Sequence, residues 1–203
     1  MFQKAQWITT PSDYGSVCPV FQCRFTSKKA IRCATISISA LGCYIAKINK
    51  KRIGSFILAP GWTSYDTRLQ VQEYDITHQI QNENTLEITA GPGWYHSGMS
   101  EKRVKPYASD KIAIICEIKF IYEDNTVSYI HSGKKFQVRK SQILKSNIYD
   151  GEIYDARPSH EIWEKACTFL FPKDMLIPQD GPSVIEMERL APISVKTSYC
   201  GDF

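Results

Sequence analysis

The sequence predicts an all-β protein, an antiparallel β-sandwich or jelly roll with a C-terminal connector strand segment. Three observations lead to this fold class. Apolar residues recur with a period of two over many short stretches, as in strands that have one buried face. These stretches follow one another about every ten residues and are bounded by Gly, Pro and Asn, which is typical of sandwiches and jelly rolls. The alternation of strands with long helices that builds a parallel sheet is not visible.

The alternating runs define the predicted strands. Residues 34–48 alternate up to Gly42 and resume after it, which predicts two strands with a kink or bulge at the glycine. Residues 49–52 predict a hairpin turn, although Lys50 stands where the positive φ of a type I′ turn favours glycine. Further strands are expected at 21–26, 69–75, 85–90, 112–122 and 127–131.

The stretch 112–122 predicts a strand with two different faces. Its even-numbered residues are apolar or cysteine, as expected of a face in the core. On the other face Ala113 and Ile115 are apolar, but Glu117 and Lys119 are charged. We therefore expect this second face to become exposed to water toward the end of the strand.

Helical signals are few. The stretch 77–80 predicts a single turn. Ser159 follows a proline and is a suitable N-cap, so it predicts a short helix over 159–166 with Ile162 pointing inward.

The last part of the chain differs from the rest. Prolines recur at short intervals, and the apolar runs 184–187 and 193–197 predict isolated strands that pair with chain beyond this sequence. We expect a β-sandwich over residues 1–170. Over 171–203 we expect a connector and the truncated start of a following β-domain.

Composition and charge exclude several classes of partner. With 43% hydrophobic and 23% charged residues the chain is an ordinary globular protein. The net charge of +4 is dispersed over the chain, so no nucleic-acid partner is expected. No apolar stretch reaches the roughly 20 residues of a membrane span, and the N-terminus has no signal-peptide pattern, so no membrane partner is expected.

The cysteines predict neither a disulfide framework nor a metal site. They are seven in number, and no CxxC pair occurs. Cys33 and Cys116 lie in alternating apolar runs and are expected to pack as small hydrophobic residues. We expect reduced thiols, a cytoplasmic protein, and neither metal nor other cofactor.

Aromatic residues beside turns are the candidate binding residues. Trp62 and Tyr65 follow a Pro-Gly turn, and Trp94, Tyr95 and His96 follow a Gly-Pro-Gly sequence. Sugar C–H faces stack on exposed rings while polar side chains bind hydroxyls, so these five are candidate carbohydrate-binding residues. The alternative is that the aromatic rings pack in the core of the sandwich.

A second candidate is the acidic stretch around Asp150, Glu152 and Asp155. Glycosidases use two carboxylates held about 5 Å or about 6.5–9.5 Å apart, but this loop spacing does not fix such a distance. With Arg157 close by, we interpret the stretch as a structural ion-pair loop. The residue pattern of a calcium-binding loop is missing, so no calcium site is predicted here. The motifs of known nucleophiles are also missing, so no catalytic residue is predicted.

A series of motifs covers most of the chain in a fixed order. The motifs are Leu-Gly-Cys-Tyr at 41–44, Ile-Asn at 48–49, Leu-Ala-Pro-Gly-Trp-Thr-Ser-Tyr at 58–65, Tyr-Asp-Ile-Thr at 74–77, Asn-Thr-Leu at 84–86, Gly-Trp-Tyr at 93–95, Asp-Gly-Glu-Ile-Tyr-Asp-Ala-Arg at 150–157 and Pro-Gln-Asp-Gly-Pro at 178–182. In order and spacing they resemble the N-terminal region of bacterial α-L-rhamnosidases of glycoside hydrolase family 78. Asn49-Lys50 departs from the family's usual Asn-Gly hairpin.

The resemblance implies a β-sandwich that precedes an (α/α)6 barrel in a longer enzyme, so we expect the chain to be a truncated piece. In that family the barrel holds the acidic residues for inverting hydrolysis of terminal α-L-rhamnose. The implied function is a non-catalytic accessory domain, inactive alone, that supports the catalytic (α/α)6 domain of the same enzyme and helps recognise rhamnose-containing glycosides. Two alternatives remain open: an interdomain or subunit interaction module that binds no sugar, and a hydrolase in its own right.

Overall fold

The computed structural model describes residues 2–97, 111–157 and 162–196, and strands dominate it. The helical elements there are α1 (Gly93–Ser97) and a single 3-10 turn at Thr77–Gln79. The strands are β1 (Ile8–Thr9), β2 (Pro19–Thr26), β3 (Ile31–Leu41), β4 (Cys43–Ile48), β5 (Lys51–Arg52), β6 (Leu69–Asp75), β7 (Glu83–Gly91), β8 (Ala113–Tyr122), β9 (Val127–His131), β10 (Gln137–Lys140), β11 (Ile143–Asn147), β12 (Gly151–Tyr154), β13 (Glu164–Lys165), β14 (Cys167–Thr168) and β15 (Leu176–Pro178).

The strands form two sheets that pack face to face, together with one separate hairpin. Within the described residues, sheet I has the order β14-β1-β8-β3-β6-β15, and β9 also pairs with β8. Sheet II has the order β13-β10-β2-β7-β4-β5, and β11 pairs with β12 alone. Among these pairings β15 lies parallel to β6, and the others are antiparallel. The predicted antiparallel sandwich is confirmed.

The main core lies between the two sheets. Inward-pointing residues alternate along each strand, as the period of two requires. The fully buried residues include Ile36, Ile38, Ile114 and Ile118 from sheet I and Phe21, Ile48, Leu86 and Ile88 from sheet II. Full burial of each such side chain contributes roughly 1.5–3 kcal/mol, so this layer is the main stabilising element of the fold.

A second apolar cluster covers the opposite face of sheet I. Leu41 and Ile115, which alternate with residues of the main core, pack there against Trp7 and Leu69. Phe171, half-buried, packs against the same cluster with its ring perpendicular to that of Trp7 at 5.7 Å. The N-terminal segment and the chain after β14 therefore cover the apolar start of β8.

Glu117 marks the end of this covered region. Its carboxylate is buried and accepts hydrogen bonds from the consecutive backbone N–H groups of Gln3, Lys4 and Ala5, at 2.9 to 3.2 Å. Hydrogen bonds to a charged acceptor offset the loss of its hydration. Lys119, two residues further along, is exposed. The predicted change from a covered to a wet face is confirmed, and it falls after Glu117.

The kink and the hairpin turn are confirmed in detail. Gly42 separates β3 from β4 at φ +130°, and the strands continue into different sheets on either side of it. Asn49 and Lys50 both have positive φ, 50° and 67°, as a type I′ turn requires. Lys50 thus adopts the left-handed conformation without being glycine. The side chain of Asn49 helps to hold the turn, since its amide donates to the Gln79 carbonyl at 2.9 Å.

The helix predicted over 159–166 is wrong where the structure describes it. Glu164–Lys165 forms strand β13 and pairs with β10, and Ile162 is exposed instead of pointing inward. Pairing with a sheet edge has overridden the local helix signal. Residue 159, the expected N-cap, lies outside the described residues.

The C-terminal segment contains one short strand. β15 pairs with β6, so residues beyond 170 extend sheet I. The runs 184–187 and 193–196 are irregular and not strands, while residue 197 lies outside the described residues. The domain division at 170/171, and the pairing of this segment with further chain, stay predictions.

The replacement Gly42→Ala should disrupt the sandwich. A Cβ atom there would lie 2.1 Å from the Gly91 carbonyl oxygen, which belongs to the backbone of β7. We expect a loss of more than about 3 kcal/mol in the free energy of unfolding, from backbone strain and the clash together. Urea denaturation measures it.

Gly151→Ala is the matched control. Gly151 also has positive φ, +80°, but a Cβ atom there meets nothing within 4 Å. Strain alone should then remove about 1 kcal/mol. Equal losses in the two variants would contradict the close approach of Gly42 to Gly91.

Candidate functional site

The loop that carries Trp62 is held by a buried hydrogen-bond network between the two sheets. Tyr44 of β4 donates its hydroxyl to Gln72 Oε1 of β6 at 3.0 Å. Gln72 Nε2 in turn donates to the Pro60 carbonyl at 3.1 Å, and the Tyr44 backbone N–H donates to the Ala59 carbonyl at 2.8 Å. Burial raises the pKa of Tyr44 well above its usual value, so the hydroxyl remains a donor.

Trp62 is exposed at the tip of this loop. Its side chain is 56% accessible to solvent. The turn before it is closed by the Gly61 N–H, which donates to the Leu58 carbonyl at 3.0 Å. The Tyr65 hydroxyl donates to the Gly61 carbonyl at 2.9 Å. The ring is therefore held out from a well-fixed backbone, and its contact with sugar stays a prediction.

Tyr65 and Tyr95 lie inside the second apolar cluster. Each is 3% exposed, and their ring centroids are 5.3 Å apart at an interplanar angle of 62°. Trp94 is half-buried against the same cluster. The structure thus places these three rings in packing positions, as the alternative interpretation of the aromatic residues proposed.

Helix α1 explains why the three consecutive candidates point in different directions. Residues 93–97 form a helical turn, which was not among the helices predicted from the sequence. The His96 N–H donates to the Pro92 carbonyl at 3.1 Å. A proline just before the first helical residues was the signal that could have identified the helix.

His96 lines a cleft on the other side of α1. The cleft has a volume of about 630 Å³ and is lined mainly by the loop 10–17, by Pro92 and His96, and by residues 145–147 of β11. His96 Nε2 lies 3.3 Å from the Leu41 carbonyl oxygen, which orients the ring. This volume is within the usual range for small-molecule sites, about 300–1,000 Å³.

The lining of the cleft is partly polar and internally fixed. Asp13 accepts a hydrogen bond from the Gly15 N–H at 2.7 Å. Ser16 donates to the Leu144 carbonyl at 2.9 Å, which joins the loop to β11. Asn147 Nδ2 lies 3.3 Å from Ser97 Oγ, so the hairpin also contacts α1. Sequence reasoning missed this cleft, because its walls come from three segments that are distant in the chain.

The acidic stretch lies on the β11–β12 hairpin. Arg157 binds Asp155 with two hydrogen bonds of 2.8 and 2.7 Å, and this contact lowers the pKa of Asp155 to about 2. Asp150 lies 3.6 Å from Lys145, and Glu152 is exposed on β12. Asp155 is therefore paired with Arg157, whereas Asp150 is paired with Lys145.

The cysteines lie mostly in packed surroundings. Burial raises the pKa of Cys18 to about 12 and raises that of Cys116. Cys167 on β14 is exposed. In the described part of the chain, no group of three or more His, Cys, Asp or Glu side chains is arranged to hold a metal ion. No helix in that part is long and apolar enough to cross a membrane.

Comparison with known proteins identifies the family. The model of the α-L-rhamnosidase N-terminal domain matches residues 29–188. The chain belongs to this family. The resemblance drawn from the sequence motifs is therefore confirmed, and the chain is an α-L-rhamnosidase N-terminal domain.

Two curated relatives are much longer than this domain. An α-L-rhamnosidase of Streptomyces avermitilis is 34% identical over 138 residues, which are 64% of this chain and 13% of that protein. An α-L-rhamnosidase of Alteromonas sp. is 24% identical over 149 residues, 68% of this chain and 16% of that protein. The chain thus spans less than a fifth of the length of either relative.

Solved α-L-rhamnosidases contain the same fold. The native enzyme from Aspergillus terreus matches with a TM-score of 0.89 and 28% identity over 97% of this chain and 25% of that chain. The enzyme from Dictyoglumus thermophilum gives 0.80 and 27%, covering 94% and 24%. The Streptomyces avermitilis enzyme complexed with L-rhamnose gives 0.70 and 28%, covering 81% and 17%.

Alkylation rates should distinguish the exposed Cys167 thiol from the buried Cys18 and Cys116 thiols. Because burial raises the pKa of the Cys18 thiol to about 12, very little of it is ionised at pH 8, and the thiolate is the reactive form. We expect iodoacetamide to modify Cys167 first and to leave Cys18 and Cys116 unmodified in the folded protein, as measured by peptide mass spectrometry.

The control is the same reaction in guanidinium chloride, where the three residues should react at similar rates. Modification of Cys18 as fast as that of Cys167 in the folded protein would contradict the burial of Cys18.

Proposed function

We propose that this chain functions as a non-catalytic accessory domain that supports the catalytic domain of an α-L-rhamnosidase. The observation that carries the proposal is the fold-wide match to a limited part of much longer rhamnosidases, 25% and 24% of two solved chains. The relatives bearing that name place the same sandwich beside much additional polypeptide. That arrangement supports an accessory role for the sandwich.

The carboxylates of the hairpin favour this role over catalysis. A glycosidase acid must stay protonated near neutral pH, so its pKa is raised. Asp155 has the opposite property, because Arg157 lowers its pKa to about 2. Asp150 lies beside a lysine. Asp155 is therefore held in an ion pair with Arg157 and is not suited to protonate a glycosidic oxygen.

Activity measurements test the proposal. The 203-residue chain should release no p-nitrophenol from p-nitrophenyl α-L-rhamnoside, as expected of a non-catalytic domain. Removal of residues 1–203 from the longest natural polypeptide that contains them should lower the melting temperature of the remaining enzyme and its kcat. Turnover by the chain alone, or an unchanged melting temperature and kcat after removal, would disprove the accessory role.

A second candidate function is recognition of rhamnose-containing glycosides. The cleft beside His96 favours it, because ring, hydroxyl and amide groups converge there in a volume that suits a small ligand. One solved relative, the Streptomyces avermitilis enzyme, is described as complexed with L-rhamnose. Trp62, as an exposed ring, is the separate stacking position that the sequence predicted.

Calorimetric titration with L-rhamnose distinguishes these positions. If the cleft binds the sugar, His96→Ala and Asn147→Ala should each weaken binding about tenfold or more, which is the loss of one buried hydrogen bond to the ligand. Trp62→Ala should then have no effect. If only Trp62→Ala weakens binding, the cleft is not the site. No heat at millimolar sugar with the folded domain removes sugar recognition and leaves the supporting role.

A further inference from the structure

The last described segment lies across the loop of Trp62. Residues 179–196, which we call the arm, continue from β15. The Gln179 N–H donates to the Val71 carbonyl at 3.0 Å, and the Asp180 N–H donates to Gln70 Oε1 at 3.2 Å. Further on, the Val184 carbonyl accepts from the Ile57 N–H at 2.8 Å. The arm is therefore fixed to the sandwich at its start, next to the turn that presents Trp62.

Beyond this point the arm exposes its apolar side chains. The exposed residues are Val184 (53%), Ile185 (45%), Met187 (85%), Leu190 (79%), Ile193 (104%) and Val195 (81%). Single apolar residues on a surface are ordinary, but a run of six within twelve residues is not. Such a concentration marks a surface that another protein surface covers.

The same surface includes part of the Trp62 loop. Leu58 and Trp62 are exposed, and Ile57, the neighbour of Leu58, is hydrogen-bonded to the arm. We call Leu58, Trp62 and the six exposed apolar residues of the arm the arm surface. Leu58 and Trp62 lie on a loop that is fixed by hydrogen bonds, whereas the six arm residues have no regular secondary structure.

The charges of the arm bear on which kind of partner can bind it. Arg189 binds Glu186 with two hydrogen bonds of 2.8 and 3.0 Å, so these charges neutralise one another. Between residues 184 and 196 the other charged residues are Glu188 and Lys196, which are opposite in sign, while Asp180 lies at the start of the arm beside Gln70. An apolar surface without net charge suits an apolar protein surface and not a nucleic acid or an anionic ligand.

We infer that the arm surface is the docking surface for the domain that follows this one in an α-L-rhamnosidase polypeptide, and that Trp62 is buried in that contact. This inference rests on the proposed supporting function. The family match extends to residue 188 and therefore includes the first half of the arm. The solved rhamnosidases that contain this fold have most of their chain outside it.

A partner domain in the same polypeptide is favoured over a free protein. A short tether gives an effective concentration in the millimolar range, and docking then requires little affinity. A free partner would need the roughly 1,200–2,000 Å² of buried surface that stable protein interfaces have.

Hydrogen exchange tests the inference by comparing this 203-residue chain with the longest natural polypeptide that contains it. Backbone amides of 57–62 and 184–195 should exchange at least about tenfold more slowly in the longer polypeptide, because docking suppresses their local opening. Amides around Val127, on the β8–β9 hairpin, should not change. Unchanged exchange in the arm, or new protection confined to the β11–β12 hairpin, would overturn the inference.

Substitutions provide the second measurement. Met187→Asp and Leu190→Asp should leave the melting temperature of the 203-residue chain unchanged, since both side chains are almost fully exposed. In the longer polypeptide each should lower it by about 3 °C or more, because a charge is then buried in the contact. Val127→Asp replaces an exposed apolar residue outside the arm surface and should change neither. Equal effects in the two polypeptides would assign the arm a role within this domain alone.

The two proposals fail in different ways. If removal of residues 1–203 destabilises the enzyme while the arm stays unprotected, the supporting function stands and the docking surface lies elsewhere. If removal has no effect, the supporting function itself is lost. Titration of Trp62→Ala with L-rhamnose adds an independent outcome, since a Trp62 that binds sugar in the longer polypeptide is not buried by a domain.

Discussion

The hydrogen bond between Tyr44 and Gln72 is the interaction on which the candidate surfaces depend. It joins β4 of sheet II to β6 of sheet I in a part of the molecule that water does not reach. A buried polar group without its partner costs about 1–3 kcal/mol, so the two side chains fix one another. Gln72 also donates a hydrogen bond to the Pro60 carbonyl, so the core fixes the position of the turn that follows.

From this turn, contacts extend to both candidate sites. In one direction Tyr65 holds Gly61 and packs on Tyr95 of α1, whose neighbour His96 lines the cleft. In the other direction the loop is hydrogen-bonded to the arm through Ile57. Replacement of Tyr65, which contacts both the turn and α1, is therefore expected to alter the cleft and the arm surface together.

The sequence predicted those features that depend on neighbouring residues. The period of two located β8 and its two faces, and Gly42 marked the kink, because both signals are local. The cleft could not be predicted, since the loop 10–17 meets residues 145–147 only after the sheets have paired. Strand β13 was mistaken for a helix for the same reason: its extended form comes from β10 and not from its own residues.

The surroundings of Trp62 decide between sugar and protein as its partner. A carbohydrate site needs polar groups beside the ring that can bind hydroxyls. Two nearby hydroxyls are already engaged, since Thr63 donates to the Arg68 carbonyl and Tyr65 to the Gly61 carbonyl. On its other side the loop meets the apolar arm. A rigid indole beside exposed aliphatic side chains is the composition of a protein interface core, where aromatic anchors lose little conformational freedom on docking. These surroundings therefore support the proposed burial of Trp62 beneath a neighbouring domain, and the cleft remains the proposed position for sugar recognition.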